Sequence, residues 1–354
     1  MTDILGLTTD QLRAAAAQAF GSGKGTGLAG RLHRDALCLG RFTPERHGLG
    51  PRAAAGWRRI AQLDLPTVAA TQQEQFGTGT VTKRLLRLLD GSTVESVQLP
   101  MGHGRSSLCV STQVGCARAC TFCESGRGGL VRNLTAGEIT AQVTIACQVA
   151  RPHNLVFMGM GEPLDNLDPL LQALAVLTDR SGLAYAQDRM TVCTVGHVPG
   201  ILALRRLGWK RLGLALSLNA ATDAQRAQLM PHSVRYPLAE IQRALIDYRQ
   251  RRNLALGIHW CLLPGINDSA ADAAAIARFC APLGRVLVHV IPYNPGTAPI
   301  APPPSDDEVA TFIGRLRAAG LAVRRRITKG RSVMAACGQL ARRAARPAPA
   351  ARVT

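Results

Sequence analysis

The stretch GCARACTFCESG, residues 115–126, places three cysteines within eight residues, whereas the other seven cysteines of the chain are scattered singly. Their spacing is C-x3-C-x2-C, and they follow an apolar segment, SSLCVST, that has the pattern of a β-strand. A zinc site normally closes four ligands, and nothing nearby supplies the missing one. Three thiolates favour an iron–sulfur cluster with one iron open to a small molecule, and structural zinc is the alternative.

Outward from this loop, apolar strand patterns alternate with helical patterns. Helices are predicted at 135–150, 167–178 and 238–251. The alternation indicates a parallel sheet, and six strand–helix units predict an α/β fold, a partial (β/α)6 TIM-like barrel. The six strands are predicted in SSLCVST, NLVFMGM, RMTVCTV, RLGLALSL, LALGIHWCLL and RVLVHVIPY, with a further one in LAVRRRI.

The ends of these strands carry polar or glycine-rich residues. The carboxyl ends of parallel strands lie on one face, where folds of this kind build their active sites. We therefore expect the site among the segments GCARACTFC, GMGEPLDN, CTVGH, SLNAATD, LLPGIND and PYNPG.

Three regions of the chain are predicted. Residues 1–79 are expected to form a small helical accessory domain, with helices in LTTDQLRAAAAQAF and at 53–63 and 67–75. Residues 80–340 form the core, which begins with a hairpin that turns at Asp90-Gly91. The tail at 341–354 is rich in Arg, Ala and Pro and is predicted to be disordered.

The charge of the chain suggests a polyanionic partner. Its formal net charge is +19, from 42 basic and 23 acidic residues, and arginine suits phosphate recognition. Solvated surface arginine is the alternative explanation of the excess. The sequence lacks the apolar run of a membrane span and the pattern of a signal peptide, so we expect a soluble cytoplasmic protein with no membrane partner.

The cysteine loop resembles a known signature. C-x3-C-x2-C with Phe122 before the last cysteine is typical of the radical S-adenosylmethionine (SAM) superfamily. Further stretches between about residues 81 and 340 resemble the RlmN/Cfr family of radical methyltransferases, which methylate an aromatic ring carbon of an adenosine in RNA. These stretches are LCVSTQVGC, RNLTAGEI, FMGMGEPLDN, LPGINDS, YNP and AACGQL.

The resemblance implies the cofactors and the residues that hold them. Cys116, Cys120 and Cys123 would bind one [4Fe-4S] cluster, and its open iron would bind SAM. The motif match adds Gly161, Glu162, Cys193, Ser217, Leu218, Asn219 and Asn294 as cofactor contacts. Two of these depart from the family, which usually has histidine at the position of Asn219 and serine at that of Cys193.

The family mechanism also implies three catalytic residues. Cys337, in AACGQL, would carry the methyl group as S-methylcysteine. Cys109 would resolve the covalent adduct by attacking Cys337, which forms a transient disulfide, and Glu95 would accept the proton of the adducted ring carbon. Cys38, Cys147, Cys261 and Cys280 match nothing in the family and are predicted to be ordinary free cysteines.

The resulting hypothesis is methylation of adenine C2 or C8 in structured RNA, 23S ribosomal RNA or tRNA, with electrons from a flavodoxin or ferredoxin. The resemblance also implies that the accessory domain of residues 1–79 presents the RNA. The sequence does not choose between C2 and C8. One alternative keeps the radical chemistry but acts on a small molecule or peptide. Another is a non-catalytic iron–sulfur or zinc RNA-binding protein.

Overall fold

A ten-stranded mixed β-sheet forms the centre of the computed structural model, which describes residues 1–21, 23 and 26–341. The strands are, in chain order, β1 (Thr2–Asp3), β2 (Ala61–Gln62), β3 (Thr67–Phe76), β4 (Gly79–Arg87), β5 (Thr93–Pro100), β6 (Ser106–Val110), β7 (Gln113–Gly115), β8 (Leu130–Asn133), β9 (Asn154–Phe157), β10 (Met190–Thr194), β11 (Gly213–Ser217), β12 (Leu256–Leu262), β13 (Val286–Pro292) and β14 (Val323–Arg325).

The α-helices lie mostly between successive strands. They are α1 (Thr9–Phe20), α2 (Thr26–Arg34), α3 (Pro51–Ile60), α4 (Glu124–Arg127), α5 (Ala136–Val149), α6 (Leu167–Thr178), α7 (Val198–Arg206), α8 (Asp223–Leu229), α9 (Leu238–Tyr248), α10 (Ala270–Cys280) and α11 (Asp306–Ala318). The helices predicted at 135–150 and 167–178 are confirmed, and the one predicted at 238–251 ends three residues early.

The sheet has a parallel part and an antiparallel extension. Its strand order is β14-β13-β12-β11-β10-β9-β6-β5-β4-β3, and β6 and β9 to β14 run parallel. This confirms the α/β class and the strands predicted from the apolar runs. With β3 and β14 at its two edges the sheet is open, as expected of a partial barrel.

The helix predicted at 67–75 is wrong. The segment is strand β3, which pairs antiparallel with β4 and has a bulge between Val68 and Ala70. Its alanines and glutamines favour a helix locally, but pairing with the exposed edge of β4 outweighs that preference. The strand therefore belongs to the same sheet as the core, and the accessory domain of residues 1–79 stays a prediction.

Other expectations for the first hundred residues are confirmed. Helix α1 begins after a capping box formed by Thr8 and Gln11 and ends at Gly21. Helix α3 covers most of the predicted 53–63 segment, and β4 and β5 form the predicted hairpin. The N-terminal helices pack on the helix layer of the core, where the amide of Thr9 donates to Asp179 Oδ2 at 2.6 Å.

The C-terminal tail was predicted to be disordered. Beyond Ala341 it lies outside the described residues. Within the described ranges, no helix has the length and apolar character needed to cross a lipid bilayer.

Candidate active site

A cavity opens where the parallel strands end. It encloses about 920 Å³ of space, part of it open to solvent. Nine residues that the sequence predicted for the site line it together: Cys116, Cys120, Cys123, Gly161, Glu162, Cys193, Ser217, Asn219 and Cys337.

The three clustered cysteines lie on the loop between β7 and α4. Burial raises the pKa of the Cys116 thiol to about 12, and burial likewise raises the pKa of Cys120 and Cys123. Metal binding would remove these protons. No group of three or more His, Cys, Asp or Glu side chains among the described residues could hold one metal ion. A [4Fe-4S] cluster instead takes one thiolate per iron, so three thiols that line the same cavity fit it.

Contacts with two other strand-end loops fix the shape of the cysteine loop. The guanidinium of Arg118 pairs with the carboxylate of Asp165, with Nε 2.8 Å from Oδ2, and donates to the carbonyl of His232 at 2.8 Å. The amide of Thr121 donates to the carbonyl of Leu229 at 3.0 Å. These bonds join the cysteine loop to the segments that follow β9 and β11.

Gly161 and Glu162 follow β9. Gly161 has a φ of +96°, and a Cβ there would come 2.5 Å from the Cβ of Gln113, so only glycine fits. The Glu162 carboxylate accepts from the amides of Leu164 at 3.1 Å and Val195 at 2.9 Å. Burial raises its pKa to about 7. The carboxylate could pair with an ammonium group of a ligand in the cavity.

The ends of β10 and β11 carry the two departures from the family. Burial raises the pKa of the Cys193 thiol to about 12, so the thiol is protonated at neutral pH. Asn219 has a φ of +53°, a conformation that asparagine tolerates better than most residues. Its Oδ1 accepts from the amide of Cys261 at 2.9 Å, so this oxygen holds the end of β12. Leu218 is fully buried, and its amide donates to the carbonyl of His259 at 3.0 Å.

The segment that carries Cys337 is docked against the cysteine loop. The amide of Glu124 donates to the carbonyl of Gly338 at 2.8 Å, and Ser125 Oγ donates to that of Leu340 at 2.6 Å. Asn294, another predicted contact, donates through Nδ2 to the carbonyl of Cys337 at 3.3 Å. These bonds hold the Cys337 segment beside the loop that carries the three clustered thiols, and Cys337 lines the same cavity.

Glu95 and Cys109 lie on the paired strands β5 and β6, and the Cys337 segment contacts Glu95. Cys109 on β6 pairs with Val97 on β5, so Cys109, Val97 and Glu95 share one face of the sheet. Burial raises the pKa of the Cys109 thiol, and the neighbouring thiols of Cys337 and Cys193 raise it further. All ten cysteines are free thiols in the structure, and the predicted disulfide between Cys109 and Cys337 is not present.

Some residues of the site were not identified from the sequence. Cys261 was expected to be ordinary but lines the cavity together with His259, whose pKa burial lowers well below its usual value. Both residues lie close to the carboxyl end of β12, where the active site was expected. The strand pattern could therefore have identified them as site residues. Lys83, which forms a buried ion pair with Glu95, gave no local signal because the pair depends on how β4 meets β5. Cys38, Cys147 and Cys280 lie in helical segments.

The chain is similar to known proteins over most of its length. Residues 110–277 match the family model of the radical SAM superfamily. The dual-specificity RNA methyltransferase RlmN of Syntrophotalea carbinolica is 41% identical over 80% of this chain and 74% of its own length. The protein of that name from Anaeromyxobacter dehalogenans is 41% identical over 88% of this chain and 83% of its own.

The fold comparison agrees with these matches. The crystal structure of a radical SAM methyltransferase from Sphaerobacter thermophilus has a TM-score of 0.87 and 33% identity, and the match covers 96% of this chain and 99% of that one. The ordered strand ends, the clustered thiols and these similarities lead to one assignment. The chain belongs to the RlmN family of radical S-adenosylmethionine RNA methyltransferases.

Proposed function

We propose that the chain methylates a ring carbon, C2 or C8, of an adenosine in RNA through an S-methylcysteine at Cys337. The observation that carries this proposal is the position of Cys337, which lines the same cavity as Cys116, Cys120 and Cys123. A methyl carrier must meet both the methyl donor and the radical source, and a shared cavity satisfies that requirement.

Membership of the family implies SAM and an iron–sulfur cluster as cofactors. Cys116, Cys120 and Cys123 would hold one [4Fe-4S] cluster, and Glu162 would bind the amino group of SAM. When bound, these cofactors supply a 5′-deoxyadenosyl radical and the methyl group. Ser217, Asn219 and Cys193 line the remaining wall, where the nucleoside part would bind, and the main chain of Leu218 supports that wall.

Cys337, Glu95 and Cys109 would carry out the remaining steps of the reaction. The Cys337 sulfur carries the methyl group and, once its carbon has bonded to the ring, holds the substrate covalently. Glu95 accepts the proton of the adducted ring carbon, and the unpaired electron of the adduct would return to the bound cluster. Cys109 then attacks the Cys337 sulfur; the carbon–sulfur bond breaks, its electron pair takes up a proton to complete the methyl group, and the two cysteines are left as a disulfide.

The substrate we propose is a looped-out adenosine of 23S ribosomal RNA or tRNA. A base inside a stack cannot enter a cavity of this kind and must be flipped out first. The excess of positive charge supports a polyanionic partner. We further propose a flavodoxin or ferredoxin as the electron donor and the cytoplasm as the site of action.

Reconstituted enzyme incubated with methyl-labelled SAM and ribosomal RNA or tRNA tests the proposal. Mass spectrometry of the digested RNA should show a labelled adenosine methylated on C2 or C8. Turnover that proceeds equally well without RNA would favour a small-molecule or peptide substrate. Absence of 5′-deoxyadenosine under reducing conditions, with the cluster intact, would favour a non-catalytic RNA-binding protein.

A further inference from the structure

Lys83 connects the proposed proton acceptor with the segment that carries the proposed methyl carrier. Its Nζ lies 2.8 Å from Glu95 Oε1, and the side chains of Lys83 and Glu95 are only 3% and 1% exposed. Removing two charges from water is costly, and their attraction recovers that cost only when the geometry is good and further hydrogen bonds complete the site. A buried pair of this kind is therefore weak as a source of stability and calls for another role.

Two further contacts of the Lys83 ammonium are with the Cys337 segment. It donates to the carbonyl of Val333 at 3.2 Å and to that of Met334 at 2.9 Å. Glu95 and these two carbonyls are therefore acceptors for the donors of the ammonium group. Met334 has a φ of +51°, which a non-glycine side chain adopts only when its surroundings impose it. Lys83 supplies part of that constraint, three residues before Cys337.

The second carboxylate oxygen of Glu95 binds the same segment beyond Cys337. The amide of Ala341 donates to Oε2 at 3.1 Å. The ion pair thus contacts the chain four residues before Cys337 and four residues after it. Any displacement of Cys337 relative to Glu95 has to break one of these bonds.

A second carboxylate provides a comparison. Glu74, on β3, accepts from the amides of Gly330 and Ser332, both at 2.9 Å. The Glu74 carboxylate therefore also fastens the Cys337 segment to the antiparallel extension of the sheet. Loss of Glu74 would loosen the segment without breaking the ion pair of Glu95.

We propose that Lys83 is a positioning residue that fixes the Glu95 carboxylate relative to the Cys337 sulfur. Proton removal from the Cys337-bound adduct would then depend on Lys83, whereas methylation of Cys337 would not. The methylation step is supported separately, by the bonds of the segment to Glu124, Ser125 and Asn294. This inference rests on the proposed function of Cys337 and Glu95.

The test compares Lys83→Met with Glu74→Gln in the full-length, reconstituted enzyme. Lys83→Met should methylate Cys337 to the wild-type extent, as seen by intact mass, but should methylate RNA about 100-fold more slowly. A covalent protein–RNA adduct should accumulate, as it should in Glu95→Gln. Because both changes disable one step, the double variant should be no slower than Glu95→Gln alone. Glu74→Gln should accumulate no adduct, and its rates of Cys337 methylation and RNA methylation should change in the same proportion.

Hydrogen exchange of the cluster-free protein gives a readout that needs no turnover. Amide exchange should rise on both sides of Cys337 in Lys83→Met, and at residues 330–332 in Glu74→Gln. If Lys83→Met folds poorly, Lys83→Arg retains the charge and should show less adduct than Lys83→Gln.

Two results would overturn the inference while the wild-type enzyme remains active on RNA. One is wild-type turnover of Lys83→Met. The other is a parallel loss of both methylation steps without adduct, which would give Lys83 a merely structural role. A wild-type enzyme that methylates neither Cys337 nor RNA would overturn the proposed function, and the inference with it.

Discussion

At the scale of single residues, burial changes the acid–base chemistry of several groups in the cavity. Its walls raise the pKa of the Cys116 and Cys193 thiols to about 12 and that of the Glu162 carboxyl to about 7. Neutral forms are favoured because the cavity is poorly solvated. A cationic cofactor that enters it would reverse this preference at the groups that it contacts.

The carboxyl of Glu162 makes both stability and SAM binding depend on pH. Its pKa is raised from 4.5 to about 7, so the folded protein keeps a proton that the unfolded chain has already lost between these values. Its contribution to the free energy of unfolding is therefore complete below pH 4.5 and declines as the pH rises to 7. Denaturant titrations of the ligand-free protein should show this slope, and Glu162→Gln should remove it.

The affinity for SAM should change in the opposite direction. Only the carboxylate form of Glu162 can pair with the amino group of SAM, so affinity should fall by about tenfold per pH unit below 7. Equilibrium dialysis of the cluster-loaded protein between pH 5.5 and 8 measures this. Equal affinity across that range would contradict the role of Glu162.

At the scale of elements, the turn after β12 organises one side of the cavity. Asn267 is fully buried, and its side chain accepts from the amide of Leu263 at 2.7 Å. It also donates to the carbonyls of Asn219 at 2.9 Å and Cys261 at 2.8 Å. One amide side chain thus joins the ends of β11 and β12.

Asn267→Ala should therefore weaken both the fold and the site. It leaves buried main-chain groups without partners, which should lower the free energy of unfolding by about 2–4 kcal/mol. Urea denaturation measures the change, and Asn253→Ala, at an exposed position, is the control, expected within about 0.5 kcal/mol of wild type. A change at Asn267 no larger than the control's would contradict this role.

The elements also show what the sequence can and cannot predict. Strands β9 to β13 are short apolar runs bounded by turn residues, so their existence and the position of the site at their ends could be predicted. Strand β3 could not be predicted from the sequence. Its residues are mostly polar and do not alternate with apolar ones, and its conformation depends on pairing with β4. The pairing of Lys83 with Glu95 and with the Cys337 segment is likewise long-range. No local sequence pattern predicts such long-range contacts.

At the scale of the whole molecule, basic residues outnumber acidic ones. The net charge is +19, and exposed Arg324, on edge strand β14, lies two residues before Arg326, which approaches the cavity residue His259 at 3.4 Å. A proposed RNA substrate would thus find basic groups near the cavity residue His259.

RNA binding should therefore depend steeply on salt. A plot of the logarithm of the affinity against the logarithm of the salt concentration should be linear with a negative slope. Arginines that pair with RNA phosphates release the counterions of the RNA. Arg324→Gln should reduce the magnitude of the slope by about 1. Filter binding to ribosomal RNA fragments measures both. Binding that does not change with salt would contradict a phosphate-directed interface.

The central claim is that the methyl group passes through Cys337. The most direct measurement is mass spectrometry of the Cys337 peptide and of RNA nucleosides after reaction with methyl-labelled SAM. We expect the label on Cys337 before RNA is added and on adenosine afterwards, and neither in Cys337→Ala with its cluster intact. Methylation of RNA by Cys337→Ala, or label that reaches RNA without ever appearing on Cys337, would contradict the account.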